Sequence, residues 1–199
     1  MFKTLRLLRY EGYYERLLGI KTLQIKKTND TENFHYQGAS YYVLFELFKK
    51  LPVFLKDKAF IDFGSGKGRA LFCAENNGFN RLIGVELDKE LVENANENLQ
   101  TYLLKRKESA FSFICENALN YDIPEGAATF FFFNPFSENI MDQVVKKIND
   151  YQAKTHSEVY AIYVNPQFKN VWLNAGYEIY DCEGNKRYTE AIIFRKQAL

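Results

Sequence analysis

A chain of 199 residues, 47% hydrophobic and 26% charged, is long enough for one domain with a full hydrophobic core, and it is too apolar for a disordered segment. Its net charge of +1 excludes a global attraction to nucleic acid, so any basic surface must be local. No apolar run approaches the roughly 20 residues that span a bilayer. Arg6 and Arg9 interrupt the first leucines, so no signal-peptide core forms and a cytoplasmic location is expected. Cys73, Cys115 and Cys182 are scattered through apolar patterns with no Cys-x-x-Cys, which predicts reduced core thiols.

Residues 1–27 are basic: Lys3, Arg6, Arg9, Arg16, Lys21, Lys26 and Lys27 outnumber Glu11 and Glu15. Leu7, Tyr10, Tyr14 and Leu17 recur at helical spacing, with the arginines on another face. This predicts a helix that packs its Leu/Tyr stripe on the domain, or a lid whose basic face meets an anionic partner. Residues 28–37 read as a polar loop in which His35 and Tyr36 could cover a ligand. A helix is expected over 38–51, with Leu44, Leu47, Phe48 and Leu51 on one side and Pro52 as its stop.

From residue 59 strands and helices alternate. Strands are expected at 59–63, 81–86, 111–115, 128–133 and 158–164, and helices at 68–77, 89–105, 138–150 and 167–175. Continuous apolar strands joined by helices argue a parallel sheet covered on both faces. Strands near 177–182 and 189–195 are linked by only a short turn, which predicts an antiparallel hairpin at the sheet edge. The expected fold is therefore α/β, a doubly wound, mostly parallel seven-stranded sheet with an N-terminal helical extension. Trp172 and Phe130–Phe133 are expected in the core.

Ligands of such sheets bind at the carboxyl ends of the strands, and four of those ends carry unusual residues. The first strand reaches Asp62 and breaks into Gly64, Gly66 and Gly68, a turn that lets a ligand approach the backbone. The second ends at Glu86, about twenty residues on, where a carboxylate can accept both hydroxyls of a ribose. The third leads to Asn117, and the fourth to Asn134-Pro135-Phe136. A pyrophosphate fingerprint needs Gly-x-Gly-x-x-Gly, and here the third glycine falls one residue early. Asp62 is also an odd neighbour for a pyrophosphate. It suits an ammonium group, as at the amino-acid end of S-adenosylmethionine. Lys67 and Arg69 read as solvated at the helix start, unless Lys67 faces a ligand carboxylate.

Asp62-Phe63-Gly64-Ser65-Gly66-Lys67-Gly68 resembles the first motif of the class I S-adenosylmethionine-dependent methyltransferases. Gly84-Val85-Glu86-Leu87-Asp88 resembles the second, whose acidic residue holds the ribose. Glu116-Asn117-Ala118 falls where that family often has Asp-Ala beside the adenine. Asn117 departs from the pattern, though its carbonyl can still take a hydrogen bond from the adenine amino group. Asn134-Pro135-Phe136 resembles a shortened Asn/Asp-Pro-Pro-Tyr/Phe motif of nitrogen methyltransferases. The resemblance covers about residues 38–195.

The resemblance implies a methyltransferase domain over 38–199, with 1–37 as a lid or acceptor-side extension. It implies S-adenosylmethionine as methyl donor and no metal. The cofactor would be held by Asp62, Gly64, Ser65, Gly66, Gly68, Glu86, Leu87, Asn117, Ala118 and Tyr36. Asn134, Pro135 and Phe136 would carry the chemistry. Asn134 Oδ1 and the Pro135 carbonyl would aim a nitrogen lone pair, and Phe136 would stack on the acceptor or exclude water. The expected acceptor is an amine such as a protein lysine. A protein, a small molecule and a nucleic acid all remain open as its source, as do a non-catalytic cofactor-binding module and a nicotinamide-dependent oxidoreductase.

Overall fold

A computed structural model describes residues 2–23, 37–103, 110–185 and 188–198. Seven strands form one sheet: β1 Ala59–Phe63, β2 Arg81–Glu86, β3 Ala110–Cys115, β4 Ala127–Phe133, β5 Val159–Val164, β6 Glu178–Asn185 and β7 Tyr188–Lys196. Their order is β3-β2-β1-β4-β5-β7-β6. Strands β1 to β5 run parallel, and β7 inserts antiparallel between β5 and β6. The sheet is the expected one, and its final hairpin occupies one edge. Every residue of β1 and β5 is buried, as central parallel strands covered on both faces require.

Among the described residues there are six helices, α1 Phe2–Leu18, α2 Tyr41–Lys50, α3 Arg69–Asn76, α4 Lys89–Leu103, α5 Glu138–Thr155 and α6 Lys169–Asn174, of which α1 packs on α2. One core lies under α2 and α3 and takes in Leu44, Leu47, Phe48, Phe60, Leu71, Phe72 and Phe131. The other lies under α5 and α6, with Phe63, Phe130, Phe132, Met141, Val145, Ile148 and Trp172. The i, i+3, i+4, i+7 spacing of Met141, Val144, Val145 and Ile148 gives α5 its buried stripe. Helix α5 runs to Thr155 and ends on a left-handed His156, five residues beyond the expected stop, because residues 151–155 contain no breaker. A short 3-10 turn over Val53–Asp57, not foreseen, follows Pro52.

Three expectations are corrected. Cys73 is buried, but Cys115 and Cys182 are exposed. Each stands on an edge strand, β3 or β6, where an apolar pattern has only one neighbouring strand to cover it. Leu17 is 46% exposed while Leu18 is 1% exposed. The chain turns at Gly19, directly after α1, and Leu18 takes the inward place. Arg69 and Lys67 are buried rather than solvated.

The burial of Arg69 fixes the N-terminal segment. Its Nε donates to Thr22 Oγ1 at 2.6 Å, and its Nη1 donates to Glu11 Oε2 at 2.8 Å and the Ala39 carbonyl at 2.9 Å. Glu15 lies 3.6 Å from Nη2, and the guanidinium sits over the Tyr41 ring. Glu11 also accepts from Ser40 Oγ and the Tyr41 N–H. Tyr14 stacks on Tyr41, while Arg9 and Arg16 stay exposed. The two glutamates outnumbered in the sequence thus face the domain, and arginines face solvent.

Candidate active site

The order reverses between β1 and β4, so the carboxyl ends of these two strands frame a crevice. Gly64, Gly66 and Gly68 all have positive φ, at 79°, 52° and 85°. A side chain at Gly64 would put its Cβ 2.5 Å from Pro135 Cβ, so glycine is needed for the turn after β1 to lie against the turn after β4. Ser65 is buried over Gly84, where an added Cβ would meet Ser65 Oγ at 2.6 Å. Among the described residues Ser65 Oγ has no hydrogen-bond partner.

Asp62 is 3% exposed, and burial, with Glu86 as a second cause, pushes its carboxyl well above the usual range. No hydrogen bond or ion pair holds it among the described residues. A buried carboxylate left in this state calls for a cation or a proton. Glu86 is held differently. Its Oε2 accepts from the Gly66 N–H at 2.9 Å and its Oε1 from the Asp88 N–H at 3.0 Å. Burial raises it and these backbone donors lower it, with a net rise. Each oxygen keeps a lone pair for a further donor. Leu87 is 53% exposed beside it, an uncovered apolar surface at a strand end.

Asn117 is exposed, and its Oδ1 already accepts from the Leu119 N–H at 2.9 Å. Ala118 is buried in the α5/α6 core. Tyr36 and His35 lie outside the described residues.

At the end of β4 the geometry departs from the expected roles. Asn134 is buried with φ 43°, and its Oδ1 accepts from Tyr163 Oη at 2.8 Å. That oxygen is not left wholly for an acceptor, because one of its lone pairs belongs to Tyr163. Burial pushes the Tyr163 hydroxyl up to about 12, so it remains a donor at neutral pH. Phe136 is 7% exposed and packs edge-on to Phe132 within the α5/α6 core. This places its ring as packing, which the sequence did not distinguish from an acceptor platform. Pro135 is half-buried against Gly64.

Beside this crevice lies a cleft of about 470 Å³. Phe133, Val164 and Asn165 line it from the ends of β4 and β5, Ser40 and Val43 from α2 and its approach, and Glu190 from β7. Glu11, Arg69 and Gly38 border it as well. Tyr163, Arg69 and Glu190 were missed as site neighbours. Only Asn165-Pro166, a second Asn-Pro at a strand end, hinted that β5 shares the arrangement, and Asn165 too has positive φ, 52°.

The profile of a family described as a methyltransferase domain matches residues 61–151. No curated protein matches the sequence. Among solved structures, a ribosomal protein L11 methylase from Lactobacillus delbrueckii subsp. bulgaricus superposes with a TM-score of 0.59 at 11% identity, covering 81% of each chain. A putative RNA methyltransferase from Pyrococcus horikoshii gives 0.58 at 17% identity, over 96% of this chain and 99% of that one. A magnesium protoporphyrin IX methyltransferase from Synechocystis, crystallised with S-adenosylmethionine, gives 0.57 at 11% identity, over 78% and 77%. These likenesses are of fold. Taken with the matched segment and the sheet order, they show a Rossmann-like fold shared with class I methyltransferases, and the matched segment is similar to a domain whose methyl donor is S-adenosylmethionine.

Proposed function

We propose that this chain transfers a methyl group from S-adenosylmethionine to an amine nitrogen. The observation that carries the reading is the contact between the two turns. Gly64, in the turn that would seat the donor's methionine end, lies against Pro135, in the turn that would meet the acceptor. Donor and acceptor are thereby brought to one place, and positioning of this kind can supply much of the rate.

The residues fit the donor. The uncompensated Asp62 carboxylate suits its ammonium group, directly or through water. Glu86, braced by two backbone N–H groups, suits the ribose hydroxyls. Exposed Leu87 and the Asn117-Ala118 turn suit the adenine, and Gly64, Ser65, Gly66 and Gly68 form the backbone cradle. When bound, the donor supplies a sulfonium methyl that is already strongly electrophilic.

The protein must then present a lone pair in line and keep water away. The Asn134 amide and the Pro135 carbonyl accept hydrogens from a neutral amine, which leaves its lone pair free to face the methyl carbon. Tyr163 holds the Asn134 amide in place through the bond to Oδ1. Phe136 supports this turn from the core rather than touching the acceptor.

The solved neighbours are described as methylating a ribosomal protein, RNA and a protoporphyrin, so the shared fold does not choose an acceptor. The test is transfer of a radiolabelled methyl group from S-adenosylmethionine into a cell extract, followed by mild base. Base-stable label that chromatography of the hydrolysate identifies as an N-methylated amine supports the reading, and stable label in a C-methyl group or a methyl ether overturns it. Label lost as methanol indicates a methyl ester and overturns the nitrogen assignment.

A further inference from the structure

The cleft beside the Asn134 turn has a charge pattern that the donor does not explain. Its apolar lining comes from Val43, Phe133 and Val164. Arg69, the cation at its border, is already engaged by Glu11, Glu15, Thr22 and the Ala39 carbonyl. Glu190 is different. Its carboxylate is half-buried, and among the described residues it has no hydrogen-bond or ion-pair partner. The charged neighbour that acts on it is another carboxylate, Glu183. Glu183 is itself bound to Lys50, so it brings no cation to Glu190.

We infer that this cleft is the acceptor subsite and that Glu190 selects an alkylammonium group carried on an apolar chain. The inference rests on the amine reading above. An uncompensated carboxylate beside Val43, Phe133 and Val164 complements a cation with a hydrocarbon stem, since the stem buries apolar surface while the charge is paired. A neutral alcohol of the same length gains only the first of these, and an anion is repelled. Phe133 directly precedes Asn134 and Val164 directly follows Tyr163, so a chain lying along them leads to the turn that meets the donor. Glu190 acts in binding. It holds the cation as it enters, and the ammonium gives its proton to solvent before the amine reacts in its neutral form. A lysine side chain of a protein and a free aliphatic amine share this chemistry.

The test uses the full chain saturated with S-adenosylhomocysteine, titrated with n-butylamine, Nα-acetyl-lysine methylamide and n-butanol and followed by NMR. Both amines should bind, and n-butanol should bind about tenfold more weakly or not at all. Glu190→Gln should weaken amine binding about tenfold, Glu190→Asp should recover part of the loss, and neither should alter S-adenosylhomocysteine affinity. Tighter binding of the lysine derivative than of butylamine would point to a protein acceptor, and the reverse to a small amine. Both outcomes support the subsite. Equal binding of n-butanol and n-butylamine, or unchanged amine binding in Glu190→Gln, would overturn it. Failure of the wild type to bind S-adenosylhomocysteine would instead overturn the donor site, so the two failures are distinguishable.

Discussion

Replacing Arg69 by Met tests whether the N-terminal helix is a fixed part of the domain. Arg69 has 5% of its side chain exposed, and its partners Glu11 and Glu15 have 14% and 11%. Met keeps the apolar stem and removes the charge. It leaves two nearly buried carboxylates without their cation and Thr22 Oγ1 without its donor. Breaking a buried pair from one side costs about 3–5 kcal/mol, because the charge left behind stays desolvated. For a domain of this size each kcal/mol moves Tm by about 2–4 °C, so Arg69→Met should lower Tm by about 6–20 °C. Glu11→Gln in the Arg69→Met background should recover part of this loss, since one stranded carboxylate is gone, and the cycle should show clear non-additivity. Thermal unfolding by circular dichroism measures all four proteins. A fall below about 3 °C in the single variant, or additive effects in the cycle, would refute the view that the contacts of Arg69 with Glu11 and Glu15 hold α1 in place.

Asp62→Asn should make the ligand-free protein more stable at neutral pH and weaken S-adenosylmethionine binding, measured by urea unfolding and calorimetry. The sign follows from burial. With its carboxyl raised in the native state, the folded protein holds a proton that the unfolded chain has lost. Stability therefore falls as pH rises from the ordinary carboxylate range through the native value, and the Asn variant should show a flatter profile. Gly64→Ala forces a Cβ to 2.5 Å from Pro135 at φ 79°. It should cost about 1–3 kcal/mol and reduce S-adenosylhomocysteine affinity; unchanged affinity would separate the two turns functionally. Asn134→Gly retains the left-handed backbone without the amide, so it should bind S-adenosylhomocysteine normally and lose methyl transfer in a single-turnover assay. Tyr163→Phe should lower kcat while leaving donor affinity intact. Full activity in Asn134→Gly would show that the turn's backbone, not its side chain, matters.

The sheet was readable because each parallel strand is a continuous apolar run and each helix carries its own stripe. Both signals are local. Asp62, Glu86 and the glycine spacing were readable for the same reason, since the motif lies within a span of about thirty residues. What escaped was the pairing of charges far apart in the chain. Arg69 meets Glu11 across 58 residues, and nothing near either residue marks it as buried. Counting Glu11 and Glu15 as a minority in a basic segment hid the fact that they are the inward-facing charges. Glu190 drew no reading at all, because pattern alone does not reveal that β7 lies inside the sheet and β6 outside it. The roles read for Asn134 and Phe136 followed from a motif, and a motif does not show that Tyr163 already occupies Asn134 Oδ1.

The place of β7 between β5 and β6 has a consequence for synthesis. Strand β6 emerges from the ribosome first, yet among the described residues it pairs with β7 alone. Until β7 is made, β6 has nothing to pair with and β5 presents an open row of backbone donors and acceptors, a template for joining another chain. At elongation rates of about 5–20 residues per second this interval lasts on the order of a second, far longer than the microseconds in which a hairpin forms. Slowing translation across residues 186–196 should lengthen it and increase aggregation of nascent chains, and the wall that carries Glu190 is completed only when it closes.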